Sequence, residues 1–121
     1  MIGPVFAMSD RCQSRGYVAA NGMLFGVAAS RGFDDLDRPG DITDHAYGAF
    51  ERMQTVLHEA WFDLCDVCAV TVYLADVHRD ANTFNTVWQR VFAGHAPARC
   101  CVGAVLQGGL LVEMSFTAVR A

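Results

Sequence analysis

The stretch Val67 to Leu74 constrains this chain more than any other. Val67, Val70, Thr71, Val72, Tyr73 and Leu74 are β-branched, aromatic or aliphatic, so both faces of an extended strand here are apolar. Such a run suits a central strand that needs a cover on each side. Any fold for these 121 residues must therefore supply two covers for one strand.

Two amphipathic segments offer one of them. Ala46, Ala49, Phe50, Met53, Val56, Leu57 and Ala60 recur at steps of three and four, which predicts a helix from about 44 to 61, roughly 27 Å long. Asp41 or Thr43 can cap it by accepting from free amides. Phe84, Val87, Trp88, Val91 and Phe92 mark a second helix from about Ala81 to Ala93, with Asp80 as cap and Gly94 as terminator. Apolar runs at Gly16–Ala20 and Met23–Ala29 flank Asn21-Gly22, a strong signal for a two-residue hairpin. Two more strand candidates, Arg99–Leu106 and Leu110–Val119, are joined by Gln107-Gly108-Gly109 as a tight turn. The breaker-rich segment Arg31–Asp44, with five aspartates, reads as a surface loop. The expected order is β-β-α-β-α-β-β, an α+β sheet with both helices on one face. The opposite face must meet something else, and another subunit is the natural candidate.

Composition narrows the function classes. With 53% hydrophobic and 18% charged residues, residues 1–121 can form one domain with a real core. No run approaches the length of a membrane span, and Met1–Met8 lacks the basic region of a secretory signal. The net charge is −4 and every cation is arginine, with no lysine, a poor basis for nucleic-acid binding. Five cysteines, an odd number without a secretion signal, fit reduced thiols in a cytoplasmic protein. Cys65-x-x-Cys68 can be read as a redox or zinc pair, or as small residues packed at a strand start; without a second such pair the packing reading is favoured. Cys100 and Cys101 point to opposite faces of a strand and do not act as a pair. The spacing of His45, His58, His78 and His95 does not converge on metal geometry, and no phosphate loop, dinucleotide fingerprint or nucleophile elbow is present. No metal or cofactor is expected.

Few ionisable residues lie inside apolar strands, and two stand out. Arg99 follows Ala96-Pro97-Ala98 at the start of a strand. Glu113 sits between Leu110-Leu111-Val112 and Met114, where a buried, unpaired carboxylate is costly. They can form a structural pair or a half-solvated strand surface. Alternatively Arg99 grips a substrate carboxylate with its fork of donors while Glu113 positions a water or moves a proton. Asn85 lies near a helix start, where asparagine often has a local bonding role.

The segments that carry these residues also resemble a known family. Pro97-Ala98-Arg99-Cys100-Cys101-Val102, Leu106, and Val112-Glu113-Met114 resemble the C-terminal signature of the YjgF/RidA family. Val70-Thr71-Val72-Tyr73-Leu74-Ala75-Asp76, Asn85-x-x-Trp88-x-x-x-Phe92 and Asn21-Gly22-Met23-Leu24-Phe25 are similar to its other segments, so the likeness covers about residues 14 to 119. The resemblance implies a chorismate-mutase-like α+β fold, a homotrimer whose sheets line a central barrel, and clefts between subunits. It implies hydrolysis of reactive enamines or imines of small carboxylic acids to a 2-oxo acid and ammonia. Arg99 would bind the substrate carboxylate, the Cys101 main-chain amide would assist, Asn85 and Ala28 would line the cleft, and Glu113 would position water. Val27-Ala28-Ala29 stands where the family has Ser-Gly-Gln, Ser14 where some members have tyrosine, and Gln107 where proline is usual. These departures point to a divergent branch. Beside the deaminase stand a non-catalytic trimer that binds a small carboxylate as a sensor and a pathway-specific deaminase of a conjugated enamine. Ribonuclease action, described for a few members, ranks last on charge. The site reading needs a guanidinium and a carboxylate from neighbouring strands to converge on one hollow at a protomer seam.

Overall fold

The computed structural model of the protein describes residues 5–8, 14–30 and 40–120. Strands β1 (Val5–Met8), β2 (Ser14–Ala20) and β3 (Met23–Ala29) precede helix α1 (Ile42–Glu59). A short 3-10 turn, Leu64–Asp66, leads into β4 (Val67–Leu74), α2 (Val77–Val91), β5 (Ala98–Gly103) and β6 (Val112–Val119). The strands form one six-stranded sheet in the order β1-β2-β3-β6-β4-β5. All pairs are antiparallel except β4 and β5, which run parallel.

The α+β class and the core elements are as expected, with four differences. The strand β1 was not anticipated. The loop predicted at Arg31–Asp44 falls largely outside the described residues, and its last residues form the start of α1. There Asp44 N donates to Asp41 Oδ1 at 3.1 Å and Asp41 N to Asp44 Oδ2 at 3.2 Å, so Asp41 rather than Thr43 caps the helix.

The second helix begins at Val77 rather than Ala81. Asp76 caps it by accepting from Arg79 N at 3.1 Å. Asp80 lies inside the helix, buried, and receives Nε and Nη2 of Arg79 at 3.0 and 2.8 Å. Two aspartates compete for the cap here. The first wins because the chain turns just after Leu74, whose carbonyl accepts from Ala104 N while Ala75 N donates to Leu111 O.

The largest correction concerns β5 and β6, which do not form a hairpin. Gln107-Gly108-Gly109 does turn tightly: Leu110 N donates to Gln107 O at 3.2 Å, and both glycines have positive φ. Yet β4 lies between the two strands. Val112, Met114, Phe116 and Ala118 alternate as buried positions in β6, whereas β5 is largely exposed. The strand with more apolar surface to bury takes the interior of the sheet, and the other takes the edge.

One cover for β4 is now visible. Val67, Val70, Val72 and Leu74 pack with Val112, Met114, Leu24 and Ala28 under the stripe Ala46, Phe50, Met53, Leu57 of α1 and Phe84, Trp88 of α2. Gly26 is required in this layer, because a Cβ there would lie 2.5 Å from the Phe116 ring. At the β2–β3 hairpin Asn21 and Gly22 both adopt positive φ, 54° and 77°, the geometry of a primed two-residue turn.

Among the described residues nothing covers the other face of β4. The face away from the helices presents Met23, Phe25, Val27 and Val102, between 37% and 51% exposed, with Thr71, Tyr73, Ser115 and Thr117 half-buried among them. A patch of this kind marks an interaction surface. A groove of about 430 Å³ runs along it, lined by residues such as Val18, Phe25, Val27, Thr71, Ser115 and Thr117. Those six bring no ionisable group to it.

Candidate functional site

Arg99 is the second residue of β5, level with Val70 of β4. Val70 faces the helices, so Arg99 does as well, and α2 receives it there. Nη1 of Arg99 donates to Asn85 Oδ1 at 2.8 Å, and its Cζ stands 4.9 Å from the centre of the Trp88 ring. Asn85 and Trp88 are three residues apart on α2, hence on one face of it. Among the described residues no carboxylate pairs with Arg99. Cys101, two residues on, is half-buried on the same side, level with Val72. Burial pushes its thiol above the usual range, while the nearby Arg99 charge pulls the other way; the thiol is therefore a poor nucleophile.

Glu113 lies elsewhere. It is half-buried in β6, level with Tyr73 of β4 and Ala29 of β3, on the face away from the helices. Arg99 and Glu113 are thus not on neighbouring strands, and they leave the sheet on opposite sides. Two strand spacings and three residues along β4 separate their backbones by roughly 14 Å. One chain does not bring them to one ligand. Ala28 also departs from its expected place. Its side chain is 1% exposed beneath α1, so it offers a cleft nothing but backbone. Of the expected site residues, Arg99, Asn85 and Cys101 therefore come together, while Glu113 and Ala28 do not join them in one chain. Trp88, read from the sequence as part of the helix stripe only, is the further residue that touches Arg99. Its spacing from Asn85 was the available signal.

The strand that carries Glu113 is pinned by His45, buried in the first turn of α1. Leu111 N, two residues before Glu113, donates to His45 Nδ1 at 3.2 Å. The acceptor role of Nδ1 puts the proton of the neutral ring on Nε2. Burial lowers the pKa of His45 below its ordinary 6.5, against the opposing charges of Asp44, Asp41 and Asp80. The unfolded chain thus takes up this proton first as pH falls. The stabilisation is fully present above about 6.5 and is lost as pH drops from there toward the lower folded value. Glutamine offers an acceptor and a donor without titrating. Between pH 7.5 and 5.5, scanning calorimetry should show a smaller loss of melting temperature in His45→Gln than in wild type. Parallel profiles would remove His45 from the acid response.

The described cysteines do not build a second centre. Cys65 and Cys68 are exposed rather than packed at the strand start. The irregular register between Val67 and Ala69 turns Cys68 outward, and its Sγ donates to Thr117 O at 3.4 Å. Among the described residues no group of three or more His, Cys, Asp or Glu side chains is placed to hold a metal ion. Nor is any of their helices long and apolar enough to cross a membrane.

These features define a small α+β domain with an anion-ready arginine on its edge strand and an uncovered apolar sheet face. The chain belongs to the Endoribonuclease L-PSP family, the YjgF/RidA family, whose model matches residues 13–120. It is 37% identical over 88 residues to the Saccharomyces cerevisiae protein named "Protein MMF1, mitochondrial", an alignment covering 72% of this chain and 60% of that protein. It is 38% identical over 82 residues to a RutC family protein of Pyrococcus horikoshii, covering 67% of this chain and 64% of the relative. The crystal structure of yeast Mmf1 superposes with a TM-score of 0.79 at 27% identity, covering 94% of this chain and 91% of that one. A YjgF family member from Neisseria meningitidis gives 0.82 at 27% identity, covering 98% and 95%. One relative bears a mitochondrial name, so membership of the family does not fix a compartment.

Proposed function

We propose that the protein is a homotrimer that binds a small carboxylic acid through Arg99 and hydrolyses its reactive imine or enamine to the 2-oxo acid and ammonia. The observation that carries this reading is the state of Arg99: located by an amide and an indole, with no carboxylate partner among the described residues. A guanidinium so held is ready for a two-pronged grip on a carboxylate. The Cys101 main-chain amide lies on the same strand two residues on. Glu113 reaches the same ligand from a neighbouring protomer, across the seam formed when the exposed face of one sheet is covered by another copy.

The chemistry asks little more of the protein. An enamine first takes a proton on carbon to become the imine. Glu113 accepts a proton from water as its oxygen bonds to the imine carbon, and the C=N electron pair moves to nitrogen. That nitrogen takes the proton back from Glu113 to give the carbinolamine; the hydroxyl proton then passes to the amine nitrogen, the C=O bond forms as the C–N bond breaks, and ammonia leaves. Because the substrate is already electrophilic, holding it beside an oriented water supplies most of the rate. A net charge of −4 without lysine weighs against a polyphosphate substrate such as RNA. Val27, 44% exposed where the family resemblance has serine, favours a second reading, in which the same cleft binds the acid without turning it over.

The test generates imino acids in situ with an amino-acid oxidase and follows ammonia release. Arg99→Ala and Glu113→Gln should each abolish the acceleration. Mixed by refolding, they should recover about a quarter of wild-type activity, since one seam in four then combines an intact Arg99 with an intact Glu113. No recovery on mixing would sink the shared site. Saturable binding of the acid without turnover would leave the second reading. Assembly has its own check: Val27→Glu on the exposed face should give a folded monomer by light scattering where wild type is a trimer.

A further inference from the structure

We propose that Trp88 is a positioning residue for Arg99 and sets how tightly this protein holds a carboxylate. The inference rests on the reading of Arg99 as the carboxylate anchor and adds what makes that anchor effective.

An exposed arginine is a poor gripping group, because its long side chain samples many rotamers. Freezing them on binding costs roughly tenfold to thirtyfold in affinity. Proteins usually fix an arginine with a carboxylate, but that partner would compete with the ligand for the same donors and offset the same charge. Here the guanidinium is fixed in another way. The Trp88 ring beneath it attracts the cation through its π face and takes none of its N–H donors. Asn85, one helical turn earlier, takes a single hydrogen bond at Nη1, 2.8 Å long. The ring restrains the guanidinium from below and the amide restrains it at one nitrogen. The positive charge and the remaining donors stay available.

The platform itself is rigid. Trp88 is 7% exposed and sits against Phe50, Phe84 and Phe92, with centroids 6.2, 6.4 and 4.5 Å away. The aromatic cluster that closes the core between α1 and α2 thus ends in the plate on which Arg99 rests. Tryptophan is the best of the aromatic residues for this contact, so its identity, beyond its bulk, should matter to the ligand.

The experiment titrates pyruvate and its neutral isostere pyruvamide into wild type, Trp88→Phe, Trp88→Leu and Arg99→Ala by calorimetry, with imine turnover measured in parallel. Trp88→Phe keeps a ring in the cluster, so it reports even if the leucine variant fails to fold. Pyruvate binding should weaken roughly threefold to thirtyfold in Trp88→Phe and further in Trp88→Leu. The loss should appear in KM with kcat nearly unchanged, and pyruvamide binding should not move. Loss of pyruvate binding in Arg99→Ala with unchanged affinity in both Trp88 variants overturns this inference alone. Equal weakening for pyruvate and pyruvamide also overturns it, since Trp88 would then touch the ligand directly. Pyruvate binding that is absent in wild type, or indifferent to Arg99→Ala, overturns the anchor reading and this inference with it.

Discussion

Arg99→Ala should weaken binding of a small carboxylate at least a hundredfold while leaving the fold intact. Each hydrogen bond between a guanidinium and a carboxylate contributes about 1.5–3 kcal/mol. A two-pronged grip therefore exceeds the roughly 2.7 kcal/mol that a hundredfold represents. The structural loss is small by comparison. Arg99 lies exposed on an edge strand, with one hydrogen bond to Asn85 and one ring contact to Trp88, and substitutions at such positions usually stay within about 0.5–1 kcal/mol. Calorimetric titration against a melting curve separates the two effects. An unchanged dissociation constant would remove Arg99 from the site, and a collapse of the melting temperature would make it a structural residue instead.

Phe50→Ala should have the largest effect on stability. Its ring is 2% exposed and lies 6.0, 6.2 and 5.7 Å from the rings of Phe84, Trp88 and Phe92. It is the member of α1 that ties the aromatic cluster of α2 to the rest of the core. Removing such a ring costs about 3–5 kcal/mol, a large share of the 5–15 kcal/mol that typically holds a domain together. The melting temperature should fall by on the order of 10–20 °C. Phe50→Leu, which refills much of the space, should recover most of it. A loss of under about 3 °C in the alanine variant would mean that the cluster repacks. The variant should also weaken carboxylate binding, because the plate under Arg99 loses its backing.

The two predictions read different layers of one arrangement, and the layers differ in how far the chain alone announces them. Periodicity placed the stripe of α1, because each buried position recurs at the helical step whatever the helix packs against. Asn21-Gly22 placed its hairpin for a similar reason: positive φ at both positions is a local demand. The helix start at Asp76 was missed because two aspartates, four residues apart, are equally good caps, and the exit of β4 chooses between them. The pairing of β5 and β6 was missed because Gln107-Gly108-Gly109 describes a turn and says nothing of which strands flank it. Arg99 and Glu113 stand out in the sequence as charges in apolar strands. Their separation depends on β4 lying between them and on which face each leaves, which no local pattern encodes. Trp88 looked like core because it is core; its other role exists only where β5 carries Arg99 across it.

The chain alone determined the apolar stripes of the two helices, the turns at Asn21-Gly22 and Gln107-Gly108-Gly109, and that Val67–Leu74 needs a cover on both faces, since these follow from apolar spacing and backbone preference over a few residues. Tertiary structure decided the strand order, the side of the sheet from which each charged group emerges, and that the helices supply one cover for β4 and leave the other face open. Those outcomes come from competition among strands for the interior of one sheet, settled by total buried area across the whole molecule.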